Sequence, residues 1–180
     1  MKNARFDKKD VKDMIRLQTP ISKELIRSLK VGDRILLSGK VFCGRDAVLP
    51  RICKLVEDGS FEEYGIDLEG GVVFHTAVSI AGVGPTSSNK PEIEGSFDTL
   101  SRAGVRMHLG KGAISQDTID ILEENDAVFA IIPPVTALLG ENTISKKCIA
   151  FHELGMEAFY EIEVKDYPAV IGAARGKSIY

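Results

Sequence analysis

Apolar residues recur along this chain at two spacings, and the two spacings predict interleaved helices and strands. Positions 21, 25, 26 and 29 follow a helical repeat directly after Ser22, whose side chain is suited to cap the helix. Short continuous or alternating apolar runs predict strands, and Ser38-Gly39 predicts a bend inside one of them. The predicted helices cover 21–30, 47–58, 92–103 and 115–125, and the predicted strands cover 34–42, 71–79, 105–109, 127–132, 143–151, 158–164 and 167–173.

The order of these elements indicates the fold class. Strands and helices alternate at first, but several late strands follow one another without room for a helix. This order predicts an α/β domain with a mixed sheet, curled towards a barrel, rather than a regular doubly wound fold. Residues 1–20 are polar and end at Pro20, so they are predicted to form an N-terminal arm that docks on a partner or stays mobile, followed by one domain over 21–180.

Composition limits the classes of partner. At 180 residues the chain suits a single domain with a substantial core. Its net charge of −3 gives no general attraction to nucleic acid or to anionic lipid, so any anion binding has to be local. We find no run of about 20 apolar residues that would cross a bilayer. Cys43, Cys53 and Cys148 have neither disulfide nor zinc spacing, and we expect a cytoplasmic protein with buried free thiols.

Three glycine-containing loops carry the candidate chemistry. They are Gly44-Arg45-Asp46, the stretch 81–90, and Gly110-Lys111-Gly112, each placed after a predicted strand. The stretch 81–90 is predicted to be a loop that enters a helix N-terminus, where backbone N–H groups favour an anion. If the strands are parallel neighbours, the loops converge at one edge of the sheet. The pattern therefore predicts a site for a small carboxylate or phosphate.

Each loop also has a simpler interpretation. Arg45-Asp46 is compatible with an exposed turn, the lysine between Gly110 and Gly112 with a tight turn, and 86–90 with a helix cap. Nucleotide binding is a weaker interpretation, since neither a P-loop nor a complete dinucleotide fingerprint is present. The three histidines lack metal spacing, and the position of His75 in an apolar strand favours a core histidine over a catalytic base.

The loops occur within an ordered set of short motifs that resembles one family. The set resembles the β subunit, or C-terminal domain, of class I fumarate hydratases and of the related L-tartrate dehydratases. The similarity extends over nearly all of residues 20–180. The motifs are Val31-Gly32-Asp33, Leu37-Ser38-Gly39, Gly44-Arg45-Asp46-Ala47, Gly84-Pro85-Thr86-Ser87-Ser88, Leu109-Gly110-Lys111-Gly112 and Tyr167-Pro168-Ala169-Val170.

The resemblance implies a swivelling β/β/α-type domain that works as half of a hydro-lyase. The expected reaction is the reversible hydration of fumarate to L-malate, and the chain is expected to be active only with its α subunit. The resemblance places a [4Fe–4S] cluster on that α subunit and not on this chain, and it implies an α2β2 assembly or a β–β dimer. Two alternatives stay open: an L-tartrate dehydratase β subunit, and a stand-alone dicarboxylate-binding or regulatory domain.

The resemblance also assigns roles to single residues. Thr86 matches the proposed catalytic base, and Arg45, Ser87 and Lys111 match residues that contact the substrate. Lys90 is expected to bind substrate too, but the family commonly has Arg-Met where this chain has Lys90-Pro91. A two-point arginine grip thereby becomes a point charge, which affects affinity and substrate identity.

Overall fold

The computed structural model describes residues 12–79, 82–86, 90–133 and 136–180. Over these ranges the chain forms nine strands, six α-helices and two short 3₁₀ helices, Phe61–Tyr64 and His152–Glu157. The strands are β1 (Ile15–Gln18), β2 (Arg34–Gly44), β3 (Val72–Ser79), β4 (Gly82–Thr86), β5 (Met107–Gly110), β6 (Val128–Ile131), β7 (Thr143–Ala150), β8 (Phe159–Ala174) and β9 (Lys177–Ser178). The α-helices are α1 (Lys23–Ser28), α2 (Leu49–Glu57), α3 (Lys90–Glu94), α4 (Phe97–Arg102), α5 (Gln116–Glu124) and α6 (Thr136–Glu141).

Five strands close into a barrel. β2, β3, β5 and β6 are parallel neighbours in that order, and β8 closes the ring by running antiparallel to both β6 and β2. The remaining strands extend this sheet: β1 pairs with β2, β7 and β9 pair with β8, and β4 pairs with β3. The prediction of a mixed α/β sheet curled towards a barrel is confirmed.

A bulge bends the long β2–β8 ladder. Leu37 pairs with Tyr167 and Gly39 with Val164, so a single residue of β2 lies opposite two residues of β8. Asp166 takes a left-handed φ of 53°, and its N–H donates to Ser38 Oγ at 3.0 Å. The predicted bend at Ser38-Gly39 is therefore present, and bulges of this kind supply the curvature that a closed barrel needs.

Alternation along the strands divides the core into an inner and an outer layer. Phe74 and Leu109 are fully buried inside the barrel, whereas Val73 packs in the cluster under α2 and α4. A third cluster joins α4, α5 and β6 through Phe97, Leu122 and Phe129. Each large apolar side chain buried in this way contributes roughly 1.5–3 kcal/mol relative to exposure. The barrel interior is thus filled with side chains, which leaves its ends and its rim for binding.

The helices with local sequence signals form where they were predicted. Ser22 Oγ accepts from the Leu25 N–H ahead of α1, and Ser115 Oγ accepts from the Thr118 N–H ahead of α5. Pro50 lies in the first turn of α2, where its missing N–H breaks no helical bond.

Several boundaries differ from the prediction. The helix predicted over 92–103 is two helices, α3 and α4, because the chain breaks at Gly95-Ser96 and Ser96 Oγ donates back to the Ile93 carbonyl at 3.0 Å. The strands predicted over 158–164 and 167–173 are the single strand β8, since the bulge accommodates the residues between them.

Three further elements were not anticipated. The prediction of a loop over 81–90 is wrong for Gly82–Thr86, which forms β4 antiparallel to β3. Helix α6 follows Pro133-Pro134, where the sequence predicts only the end of the strand over 127–132. Strand β1 lies within the segment predicted as an arm and pairs in parallel with β2; the domain boundary at residue 20 stays a prediction.

Candidate active site

Strand register brings the predicted cations to one end of the barrel. Gly44 of β2 pairs with His75 of β3, while the preceding β3 residue, Phe74, pairs with Leu109 of β5. Gly44, His75 and Gly110 are therefore at one level, and Arg45, Thr76 and Lys111 follow them at the carboxyl ends of parallel neighbours. This is the end at which α/β sheets usually bind ligands. The predicted convergence of the loops is confirmed for these positions.

Arg45 is positioned by a tight turn into α2. A Cβ added to Gly44 would lie 2.7 Å from Val48 Cγ1 and 3.1 Å from Leu49 Cδ2, so only glycine fits before the turn. The Arg45 carbonyl accepts from the N–H groups of Val48 and Leu49 at 3.2 and 3.0 Å. The backbone of Arg45 is thus fixed at the start of the helix.

An ion pair orients the guanidinium of Arg45. Its Nε donates to Glu157 Oε1 at 2.7 Å, and the two side chains are only 26% and 29% exposed. Glu157 ends the second 3₁₀ helix, 112 positions along the chain, and no spacing or motif in the sequence singles it out. Partial burial makes this pair stronger than a solvent-exposed one, so Glu157 is a member of the site that sequence reasoning missed.

Lys111 supplies a second cation at the same end. Its side chain is exposed, and within the described residues it makes no ion pair. Gly112 after it has a φ of 78°, a conformation that favours glycine and turns the chain sharply away from β5. The ammonium is therefore accessible to an anion from solvent.

The residues of the third loop are placed only in part. Thr86 ends β4 and pairs with Thr76 in the β3–β4 ladder, next to the level of Arg45 and Lys111. Lys90 is the first residue of α3. Ser87 lies outside the described residues. β4 takes up Gly82–Thr86 of this stretch, and α3, a helix of five residues, begins at Lys90. The predicted anion site at a helix N-terminus and the roles of Thr86, Ser87 and Lys90 stay predictions.

Two histidines lie buried between the outer face of the barrel and α4 at this end. His75 Nε2 lies 3.2 Å from His108 Nδ1, and His108 Nε2 lies 3.0 Å from Ser101 Oγ of α4. Phe97 stacks on His108 with the ring centroids 4.1 Å apart. Burial lowers the pKa of His75 to about 3 and holds the pKa of His108 well below its ordinary value, with His75 adding to the effect. His75 is a neutral core histidine, as predicted.

The cysteines do not form a cluster site. Cys43 lies inside the barrel and Cys53 is buried under α2, where burial raises the pKa of its thiol to about 11; Cys148 is half-buried on β7. No group of three His, Cys, Asp or Glu side chains in the described ranges is arranged to hold a metal ion. The described residues of this chain therefore do not fit a [4Fe–4S] cluster.

A second cationic cleft lies at the opposite end of β2. Lys30, Arg175 and Lys177 line it together with Glu123, and its volume is about 490 Å³. Arg45 and Lys111 do not line this cleft, and the barrel separates it from Arg45. In the described parts of the chain, no helix is long and apolar enough to span a bilayer.

Comparison with known proteins gives a consistent family match. A family model described as the fumarase C-terminus matches residues 2–180. A putative class I fumarate hydratase of Geobacillus stearothermophilus is 31% identical over 88% of this chain, which spans 32% of that protein's length. A putative L(+)-tartrate dehydratase subunit beta of Methanocaldococcus jannaschii is 27% identical, with 89% of this chain and 88% of the relative covered. The L(+)-tartrate dehydratase subunit beta of Escherichia coli is 28% identical, with coverages of 86% and 80%.

Proposed function

Because the chain belongs to the fumarase C-terminus family, we propose that it is the β subunit of a class I fumarate hydratase and catalyses the reversible hydration of fumarate to L-malate together with an α subunit. The observation that carries this proposal is the placement of Arg45 after β2 and Lys111 after β5, the two parallel neighbours of β3, at one end of the barrel. The β-subunit relatives, which match this chain over most of their own length, support a separate subunit.

The two cations suit a substrate with two carboxylates. Arg45 offers a planar guanidinium that can hold one carboxylate, and Glu157 fixes its orientation before substrate arrives. Lys111 is exposed and supplies a point charge for the other carboxylate. We assign further substrate contacts to Ser87 and Lys90. A lysine at position 90 gives one charge without a fork, so we assign it a weaker contact than Arg45 makes.

The proton transfer is assigned to Thr86. Its backbone position beside Thr76 places it at the end of the barrel that carries Arg45 and Lys111. A threonine hydroxyl is a weak base by itself, so its activation requires a carboxylate of the partner subunit or a polarised site closed against water. This requirement is a second reason to propose that the chain works only in an assembly.

The partner we propose is a fumarase-type α subunit that binds the [4Fe–4S] cluster and thereby supplies Lewis acidity. The three cysteines of this chain are free thiols, two of them buried, which fits a division of labour between the subunits. We propose an assembly of the α2β2 type or one built on a β–β dimer, located in the cytoplasm.

The decisive experiment compares the chain alone with the chain mixed anaerobically with its α subunit. We expect no hydratase activity from the isolated chain, and interconversion of fumarate and malate after mixing. Full activity of the isolated, metal-free chain would overturn the proposal. The α subunit alone is the matched control, because activity there would mean that this chain is dispensable.

Two other functions are separated by the choice of ligand. The tartrate dehydratase relatives favour an L-tartrate dehydratase β subunit as the second candidate, and a higher kcat/KM for L-tartrate than for malate in the assembled enzyme would select it. The third candidate is a stand-alone dicarboxylate-binding or regulatory domain. Tight calorimetric binding of fumarate, malate or tartrate to the isolated chain would favour that function.

A further inference from the structure

A hydrogen-bonded chain of buried side chains leads from α4 to the end of the barrel that carries Arg45. It begins at Ser101, passes through His108 on β5 and ends at His75 on β3, and all three side chains are almost fully buried. The outer ring nitrogen, His75 Nδ1, has no hydrogen-bond partner within the described residues. A buried polar atom left unpaired is destabilising, so the unpaired nitrogen calls for an explanation.

The position of His75 indicates where this atom points. β3 lies between β5 and β2, and His75 Nε2 is turned towards His108 on β5. The second ring nitrogen therefore faces away from β5, towards β2, whose last residue Gly44 pairs with His75. The turn with Arg45 and Asp46 follows directly. Asp46 lies near enough that its negative charge partly offsets the lowering of the His75 pKa by burial.

Counting protons leaves two directions of hydrogen-bond donation along the series Ser101, His108 and His75. Both imidazoles are neutral, so each carries a single N–H. In one direction Ser101 donates to His108, His108 Nδ1–H donates to His75, and His75 Nδ1–H faces the turn. In the other direction His75 donates to His108, and a lone pair faces the turn. A nearby carboxylate attracts an N–H and repels a lone pair, so the charge of Asp46 favours the first direction.

We propose that Ser101, His108 and His75 act as a positioning relay that presents the His75 Nδ1–H, through a bridging water, to the carboxylate of Asp46 and so fixes the turn that carries Arg45. Buried waters characteristically satisfy polar groups of this kind. The tautomers of His75 and His108 depend only on the fold of this chain, so they can be measured without the α subunit. The consequence for substrate binding rests on the proposed function, and His75 is a positioning residue that acts through Asp46 and Arg45.

The tautomers can be read directly by long-range ¹H–¹⁵N NMR on the full-length chain. The sequence has three histidines, and His152 is exposed whereas His75 and His108 are buried. We expect His75 and His108 both to be Nδ1–H tautomers at pH 7 and both to remain neutral at pH 5.5. A His75 ring that carries its proton on Nε2 would overturn the proposal.

Removal of the charge at Asp46 tests the acceptor. In Asp46→Asn we expect the His75 Nδ1–H signal to move or the tautomer to reverse. Asp58→Asn, which changes a carboxylate at the far end of α2, is the control and should leave the His75 spectrum unchanged. An unaltered His75 spectrum in Asp46→Asn would contradict the relay.

A matched pair of substitutions tests the role in the assembled enzyme. Asn at position 75 places an amide N–H near the position of Nδ1, whereas Gln reaches towards the position of Nε2. We expect KM to stay within about threefold of wild type in His75→Asn and to rise about tenfold in His75→Gln, with kcat changed less, as loss of a ground-state contact predicts. Urea unfolding of both variants controls for stability. A smaller change of KM in His75→Gln than in His75→Asn would reject the relay. Absence of activity in the wild-type assembly would instead reject the proposed function and leave the NMR result intact.

Discussion

Arg45 owes its position to the glycine before it. The crowding around Gly44 fixes where β2 ends and α2 begins, and that local constraint is visible in the sequence as a glycine, a cation and a following helix. Glu157 pairs with Arg45 from 112 positions away, within a short 3₁₀ helix that has no periodic pattern. The position and charge of Arg45 were predictable from the sequence. Its pairing with Glu157 was not, because only the folded chain brings these two residues together.

Arg45→Ala tests the substrate contact. In the assembled enzyme we expect KM to rise with little change in kcat, because the carboxylate that we propose Arg45 holds is present in both the ground state and the transition state. Loss of one charge-assisted contact corresponds to about 2 kcal/mol, or roughly a thirtyfold fall in kcat/KM, measured by steady-state kinetics with malate. Arg102→Ala, which removes an exposed arginine paired with Asp98 on α4, is the matched control. Wild-type kinetics in Arg45→Ala would exclude this role.

Helix ends were predictable because their signals are local. Ser115 accepts from the Thr118 N–H at 3.3 Å, whereas Ser60 precedes the first 3₁₀ helix without a side-chain cap bond. We expect Ser115→Ala to lower the free energy of unfolding by about 1 kcal/mol, and Ser60→Ala to change it by less than about 0.5 kcal/mol. Urea denaturation of the two variants measures the difference. Equal effects would mean that the cap contributes nothing specific.

The elements that the sequence did not predict are those that tertiary pairing decides. β4 forms because Gly82–Thr86 finds β3 as a partner, although its glycines and proline are typical of a loop. β8 runs unbroken for 16 residues because the bulge at Ser38 accommodates Lys165 and Asp166. Periodicity reports which face of an element is apolar, but it carries no information about which strand lies alongside.

At the scale of the whole molecule, the neutral histidine pair makes folding sensitive to acid. The pKa of His75 is lowered to about 3 in the folded chain and that of His108 is lowered as well, so the unfolded chain binds more protons below its ordinary histidine pKa near 6.5. The contribution of His75 and His108 to the free energy of unfolding is fully present above the unfolded-state histidine pKa, and it is lost as the pH falls towards 3. Each histidine contributes a slope of at most about 1.4 kcal/mol per pH unit.

Urea unfolding at pH 7 and at pH 5 measures this effect. We expect the wild type to lose about 2 kcal/mol for each of the two histidines, in a range where most carboxylates stay ionised. The slope of the free energy of unfolding against pH should be smaller in His75→Asn, which removes one of the two buried imidazoles. Equal wild-type stability at the two pH values would show that the pair is not buried in its neutral form.

The off-barrel position of β4 has an evolutionary consequence. The five strands of the ring hydrogen-bond to one another. β4 pairs with the carboxyl-terminal part of β3 and does not take part in closing the ring. Mutations in Gly82–Thr86 therefore leave the hydrogen bonds of the barrel intact, and selection can change this hairpin while the scaffold stays folded. Lineages that share the barrel are free to diverge in sequence at this strand, and if the proposed role of Thr86 holds, directed evolution of substrate preference should begin there.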